Sequence, residues 1–173
     1  MVHRDTNQER IKRASTRAGD YEVESRNCCQ GTLLALSEEF GLGADAELLK
    51  AASFMPGVAA NKETCGALLG AVMALGLAYG RGKLSDPEWT KPEVNDEWLK
   101  TRRKAHDACL AFKAEFGSTM CGVIRPLIMG RDYDSLDPED RKQFALDGGV
   151  QKCRRPPEVA ARIVAALLVE DKK

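Results

Sequence analysis

The sequence predicts an all-α fold, a compact multi-helix bundle of about six to eight helices around a buried Gly/Ala-rich central helix. Three observations predict it. Apolar residues recur at three- and four-residue spacing, and strand alternation is hard to find. Gly, Pro and Asp signals punctuate the chain where helices should start and stop. The stretch KETCGALLGAVMALGLAYG, residues 62–80, carries no charge for seventeen residues after Glu63. A helix that is apolar all round needs neighbours on every side.

The elements follow in order. Residues 1–19 read as a polar N-terminal extension, and 20–173 as a single helical domain. Residues 22–41 read as the first helix, with Val23, Leu33, Leu34, Leu36 and Phe40 apolar and Gly41 as its stop. A second helix covers about 45–54. Asp45 caps it, and Leu48, Leu49 and Phe54 point inward. FMPGVAAN breaks it at Pro56 and Gly57. The central helix, 65–80, would be about 24 Å long at 1.5 Å per residue. That falls short of the ~30 Å hydrocarbon core, so a buried helix is expected and a membrane span is not.

Each glycine in that helix costs about 1 kcal/mol against alanine, so the glycines need a packing reason. Gly66, Ala67, Gly70, Ala71 and Ala74 let another backbone, a cofactor or a second subunit come close. A homodimer is one expectation. Residues 80–92 form a loop dense in Gly, Pro and charge. A long helix follows over about 93–116, with Val94, Trp98, Leu99, Ala105, Ala108, Cys109, Phe112 and Phe116 as its apolar positions. GST breaks it, and MCGVIRPLIMG makes a short helix. Asp137 then caps a helix with Pro138 at its first position and Glu139 and Asp140 near the positive end of the dipole. DGG at 147–149 ends it. The last helix runs to about 170, with Pro156 and Pro157 near its start.

Charge bounds the partners. Lys plus Arg and Asp plus Glu both number 26, for a net charge of zero. No nucleic-acid footprint is expected, since that needs a basic excess or stripe. RRK at 102–104 and RR at 154–155 read as solvated helix faces. The N-terminus has no apolar run of the signal-peptide kind, so a cytoplasmic location is the expectation. Cysteines in that compartment serve as core fillers, metal ligands or redox groups.

The six cysteines contain no CxxC, which excludes finger and ribbon zinc sites and covalent haem attachment. Their placement says more. Cys28 and Cys29 are adjacent. Cys65, Cys121 and Cys153 each read as opening a helix, where free N–H groups and the dipole favour a thiolate.

NCCQGTLLALSEEFGL, then AASFMPGVAANKETCGALLGAVMALGLAYGR, then FKAEFGSTMCGVI, then GRDYDSLDPEDRKQFALDGGVQKC together resemble the redox-active protein family named for its C_GCAxxG_C_C pattern. The resemblance covers roughly residues 20 to 170. Cys28, Cys65, Cys121 and Cys153 fall on the four cysteines that name the pattern. The middle motif reads Cys65-Gly66-Ala67-Leu68-Leu69-Gly70, so it runs C-G-A where the pattern runs G-C-A. Cys29 and Cys109 have no place in the pattern. The resemblance implies a redox or metal-linked role and supplies no substrate.

Four thiolates from four helices converge only in a bundle interior. Such a site could bind an iron–sulfur cluster, which takes four cysteines, or zinc at ~2.3 Å from each sulfur. It could equally form reversible disulfides, which need Cα atoms within roughly 7 Å. Spacing leaves these open. The first expectation is a redox-active protein whose Cys28, Cys65, Cys121 and Cys153 bind an iron–sulfur cluster or other metal. Its role would be electron transfer or redox sensing with a redox partner protein. The alternatives are a metal-free thiol–disulfide protein and a helical interaction protein with structural cysteines. Gly66 and Gly70 would then lie near a cofactor. Cys29, Cys109 and His106, three residues before Cys109 on the same helix face, are secondary candidates. Trp89 and Trp98 read as core anchors, and Arg131, Asp132 and Tyr133 as turn and capping residues. No acid–base pair identifies an enzyme. His3 falls in the polar start.

Overall fold

The computed structural model describes residues 6–85 and 96–170. Among these residues the regular structure is helical, as the periodicity predicts. In chain order the helices are α1 (Asn7–Ser25), α2 (Cys28–Phe40), α3 (Ala46–Ala51), α4 (Gly66–Tyr79) and α5 (Asp96–Phe116). Then come α6 (Cys121–Met129), α7 (Pro138–Leu146), α8 (Gly149–Lys152) and α9 (Arg155–Glu170).

The first helix differs from the sequence expectation. It starts at Asn7 instead of 22, so most of the stretch read as an extension is helical. A capping box sets this start: the Glu9 amide donates to the Thr6 hydroxyl, and the Thr6 amide donates to the Glu9 carboxylate. Its mean composition is polar, but Ala14 and Ala18 are fully buried in the core. The stretch read as one helix over 22–41 is also broken. Arg26 adopts a left-handed conformation with φ of 55°, and Asn27 caps α2 through a bond from the Gln30 amide. Cys28 thereby becomes the first residue of a helix. His3 and Trp89 lie outside the described residues, as does the expected start of the long helix at 93.

Helices α1, α2, α4 and α9 form the core, and α5 packs across α4 and α9. Their contact faces are small or aliphatic: Leu33, Ala35 and Leu36 from α2, Ala67, Ala71 and Ala74 from α4, and Ala161, Val164 and Ala165 from α9. Among the described residues, Phe112 of α5 is the largest fully buried side chain. Pro156 and Pro157 sit in the first turn of α9, where a missing N–H is harmless. Phe54, expected to point inward, is 79% exposed because α3 ends at Ala51 and the chain turns before reaching it.

The glycines of α4 have the packing reason that their cost demands. A Cβ at Gly70 would lie 2.3 Å from the Cys29 carbonyl oxygen, so α2 and α4 cross backbone against side-chain-free backbone. A Cβ at Gly66 would meet Cys28 Sγ at 2.7 Å and Pro56 Cα at 2.9 Å. These neighbours come from within the chain. The burial is not uniform, for Gly76 and Leu77 near the end of α4 are exposed.

Gly70→Ala is expected to lower stability by about 1–3 kcal/mol, because the Cys29 backbone cannot yield without parting α2 from α4. Gly76→Ala, with nothing within 4 Å of the added carbon, is expected to raise it by up to about 1 kcal/mol. Urea unfolding of the two variants beside the parent protein measures both.

Candidate functional site

The site begins with backbone. Thr64 and Met120 form an isolated antiparallel bridge just before α4 and α6. The Cys65 amide donates to the Thr119 carbonyl at 2.8 Å, and the Cys121 amide donates to the Glu63 carbonyl at 2.7 Å. The Gly122 amide adds a bond to the Lys62 carbonyl at 2.9 Å. Gly122 must be small here, since a Cβ would lie 2.9 Å from Lys62 Cβ. Two cysteines from opposite halves of the chain are thus held at neighbouring helix starts.

Cys65 is the N-cap of α4 and is buried. The Cys28 sulfur, at the start of α2, lies over Gly66 beside Cys65. Its interaction with Cys65, together with the Ala67 and Leu68 amides at the helix mouth, holds the Cys65 pKa below the ordinary thiol value despite burial. The same interaction, with burial, pushes Cys28 well up. The two neighbouring thiols are thus shifted in opposite directions.

The expectation of three activated thiols at three helix starts needs correction. Burial, followed by the negative charge of Cys65, pushes Cys121 up to about 11. Burial, followed by Glu22, pushes Cys153 up to about 12. At Cys121 the helix start is real, but desolvation outweighs the dipole. Cys153 does not open the last helix: it ends α8, and α9 begins at Arg155.

Cys28, Cys121 and Cys153 share the wall of one cavity of about 590 Å³. Gly57 also lines it, and a Cβ there would lie 3.5 Å from Cys121 Sγ. Gly57, Val58, Ala59 and Ala60 all have positive φ, between 37° and 67°. A left-handed turn of this kind costs roughly 1–2 kcal/mol for each residue with a side chain. It carries the chain between Pro56 and Lys62 tightly enough for both to reach the cavity.

Two charged residues that the sequence reading assigned no role also line the cavity. Glu22 of α1 is buried, and its Oε2 has no hydrogen-bond partner among the described residues. Burial first, and the Cys65 charge second, raise its pKa to about 8. Arg125 of α6 is 9% exposed. It donates to Asp132 Oδ1 at 2.8 Å, to Ser135 Oγ at 2.7 Å and to the Tyr133 carbonyl. Lys62 pairs with the same Asp132. Partial burial works against ionisation of Asp132, but the bonds from Lys62 and Arg125 outweigh it and hold this carboxyl well below the usual range. Asp132 thus ties α6 to the loop before α4. Arg131 lies over the Tyr133 ring and pairs with Asp140, and the Tyr133 hydroxyl donates to Asp147.

The secondary candidates lie elsewhere. Cys29 is fully buried, with its thiol 3.9 Å from the Met73 sulfur. Cys109 is half-buried against the core on α5. His106 points to solvent beside Asp107. Trp98 is half-buried, with the Arg102 guanidinium over its ring. Among the described residues no group of three or more His, Cys, Asp or Glu side chains is arranged to hold a metal. The four sulfurs therefore do not form a ready ligand set for zinc or an iron–sulfur cluster. Nor is any helix among these residues long and apolar enough to cross a membrane.

Fold and site together define an all-helical protein with two neighbouring thiols, Cys28 and Cys65, beside a small-molecule-sized cavity. Residues 26–167 match the family described as Putative redox-active protein (C_GCAxxG_C_C), and the chain belongs to that family. No curated protein and no solved structure matches the chain.

Glu22 gives the site a pH signature. Its pKa lies near 8 in the folded protein against 4.5 ordinarily. The native state therefore holds a proton that the unfolded chain releases between these values, and stability falls as pH rises from about 4.5 to about 8. Glu22→Gln keeps the neutral shape and is expected to flatten this decline. The variant should exceed the parent in stability at pH 8 and match it near pH 4.5, as read by urea unfolding across the interval.

Proposed function

We propose that this protein is a thiol–disulfide redox protein in which Cys28 and Cys65 form the reactive pair. The observation that carries this reading is the placement of the Cys28 sulfur over Gly66, beside Cys65 at the N-terminus of α4, where the two thiols are shifted in opposite directions. Cys28 lines the cavity, whereas Cys65 is buried and does not. Exchange chemistry assigns their roles. An incoming disulfide meets Cys28, whose proton passes toward Cys65 or solvent as its sulfur attacks. The new Cys28–substrate bond replaces the substrate's own S–S bond, and one substrate thiolate leaves. Cys65 then attacks the Cys28 sulfur, forms the internal disulfide and expels the second thiolate. The protein loses two electrons and two thiols, and the substrate gains two thiols.

In reverse, an external thiolate attacks the Cys28 sulfur, and Cys65 leaves as the thiolate its helix stabilises. A low-pKa thiol leaves fastest. Cys121 and Cys153 stay protonated near neutral pH and stand as a reserve of reducing thiols on the same wall. A reducing compartment, such as the cytoplasm, would keep all four available.

The iron–sulfur or zinc reading draws support from one observation: Cys65 acts electrostatically on each of the other three pattern cysteines, and Cys121 on Cys28 and Cys153. It requires the sulfurs to move into a ligand set that they do not form here.

The test is mass spectrometry after treating the anaerobically purified, reduced protein with a disulfide. The expected product has a Cys28–Cys65 bridge, no metal and no colour. Cys28→Ala should abolish bridge formation, while Cys65→Ala should accumulate the mixed disulfide on Cys28. Cys109→Ala should behave as the parent does. Stoichiometric iron with visible charge-transfer bands would overturn the thiol–disulfide reading in favour of the cluster.

A further inference from the structure

We infer that the cavity beside Cys28 selects a small anionic disulfide as the substrate of the exchange. The inference rests on the thiol–disulfide reading and adds the substrate class. Three observations carry it: size, wall chemistry and charge.

The volume of about 590 Å³ lies within the ~300–1000 Å³ typical of small-molecule sites. A cavity of this size admits a small organic disulfide, whereas a folded partner presents its disulfide on a convex surface that cannot enter. Pro56, Phe144 and Val150 supply an apolar wall for the carbon skeleton, and Cys28 supplies the sulfur.

The charge at the wall is unbalanced. Arg26, Lys62, Arg125, Arg141 and Lys142 line the cavity against Glu22, Asp134 and Asp140. Glu22 is mostly protonated at neutral pH. Lys62 and Arg125 share the single carboxylate of Asp132, and Asp140 is already paired with Arg131. Arg26, Arg141 and Lys142 are exposed and form no ion pair among the described residues. A cavity with low-dielectric walls and an excess of one charge concentrates the opposite charge and accelerates its arrival. The ligand that matches cationic rim, apolar wall and buried thiol is a disulfide bearing carboxylates. Its reduction releases two anionic thiols, and the electrons come from Cys28 and Cys65 as those sulfurs join.

The experiment compares three short disulfides of similar size: dithiodiglycolate, a dianion; bis(2-hydroxyethyl) disulfide, neutral; and cystamine, a dication. Each rate of oxidation of the reduced full chain is divided by that disulfide's rate with a free small thiol, which removes intrinsic reactivity. The expected order is dianion, neutral, dication, with about tenfold or more between the first two at low salt. The spread should narrow as salt rises. In the double variant Arg141→Gln, Lys142→Gln the three normalised rates should draw together while the neutral rate stays at the parent value, which also reports an intact fold.

Equal normalised rates in the parent, or an order that the double variant leaves unchanged, overturn the inference and leave the thiol–disulfide reading standing. A folded protein disulfide that oxidises the pair faster than the dianion overturns it as well. Failure of all three disulfides to oxidise Cys28 and Cys65 overturns the reading itself, and the inference with it.

Discussion

The backbone bridge at Thr64 and Met120 fixes where everything else in the site stands. Its bonds join Cys65 to Thr119 and Cys121 to Glu63. A helix start ordinarily leaves its first N–H groups without partners inside the helix. Here the amides of Cys65 and Cys121, at the mouths of α4 and α6, are satisfied by each other's approach strand. The next amides of α4, at Ala67 and Leu68, are then left to help lower the Cys65 pKa. The same bridge brings Lys62 to Asp132 and so locks Arg125 beneath the cavity. A local pairing of two short extended segments therefore sets thiol chemistry and cavity shape together.

That arrangement has a conformational cost. Between Pro56 and Cys65 the chain passes through a left-handed turn, and Lys62 also has a positive φ, of 63°. Only one of these residues, Gly57, has the freedom that such angles favour. The strain persists because both ends are tied down. Pro56 packs on Gly66, and Glu63 and Cys65 are held by the bridge. Strained backbone of this kind gathers at functional sites when the surrounding structure over-determines it. Cys28 and Cys65 lie directly beside this segment, with Cys28 over Gly66.

The fold was legible in the sequence where the signals were local. The charge-free run 64–80, the Asp45 and Asp137 caps and the paired prolines of α9 each act within a few residues, and each predicts an element that is present. The break between α1 and α2 was less visible. Asn27 is a good cap, but Arg26 in a left-handed conformation has no sequence signature, so the apolar pattern ran through both. Glu22 escaped notice for a related reason. Read alone it is an ordinary acidic residue, yet Ala14, Ala18 and Glu22 stand at four-residue intervals. That row is the buried face of α1, and it would have placed a carboxyl in the core. The pairing of Cys65 with Cys28, and the contrast between Cys65 and Cys121, were not legible. Both depend on tertiary desolvation and on a bridge between distant segments. The C-G order of Cys65 and Gly66 acquires a meaning only in three dimensions. Gly66 is the place where no side chain fits beneath the Cys28 sulfur, and Cys65, one residue earlier, falls at the cap.

A charge on Cys65 raises the proton affinity of Glu22, and a charge on Glu22 raises that of Cys28, so the buried side of the site accommodates one negative charge more readily than two. The helix mouth decides which group carries it. The Cys28 thiol and the Ala67 and Leu68 amides lower the Cys65 pKa, whereas the Glu22 Oε2 has no partner among the described residues. Below about pH 8 the carboxyl stays neutral, while the helix mouth favours charge on the sulfur. Forming a disulfide at Cys65 removes that charge, and Glu22 then loses the neighbour that helps keep it protonated. Its remaining upward shift would come from burial alone, so on the proposed chemistry oxidation would lower the carboxyl's proton affinity and reduction would restore it. The thiol pair and the carboxyl are in this way a coupled unit. The orphaned oxygen that makes Glu22 costly to bury also leaves its proton sensitive to the charge on Cys65.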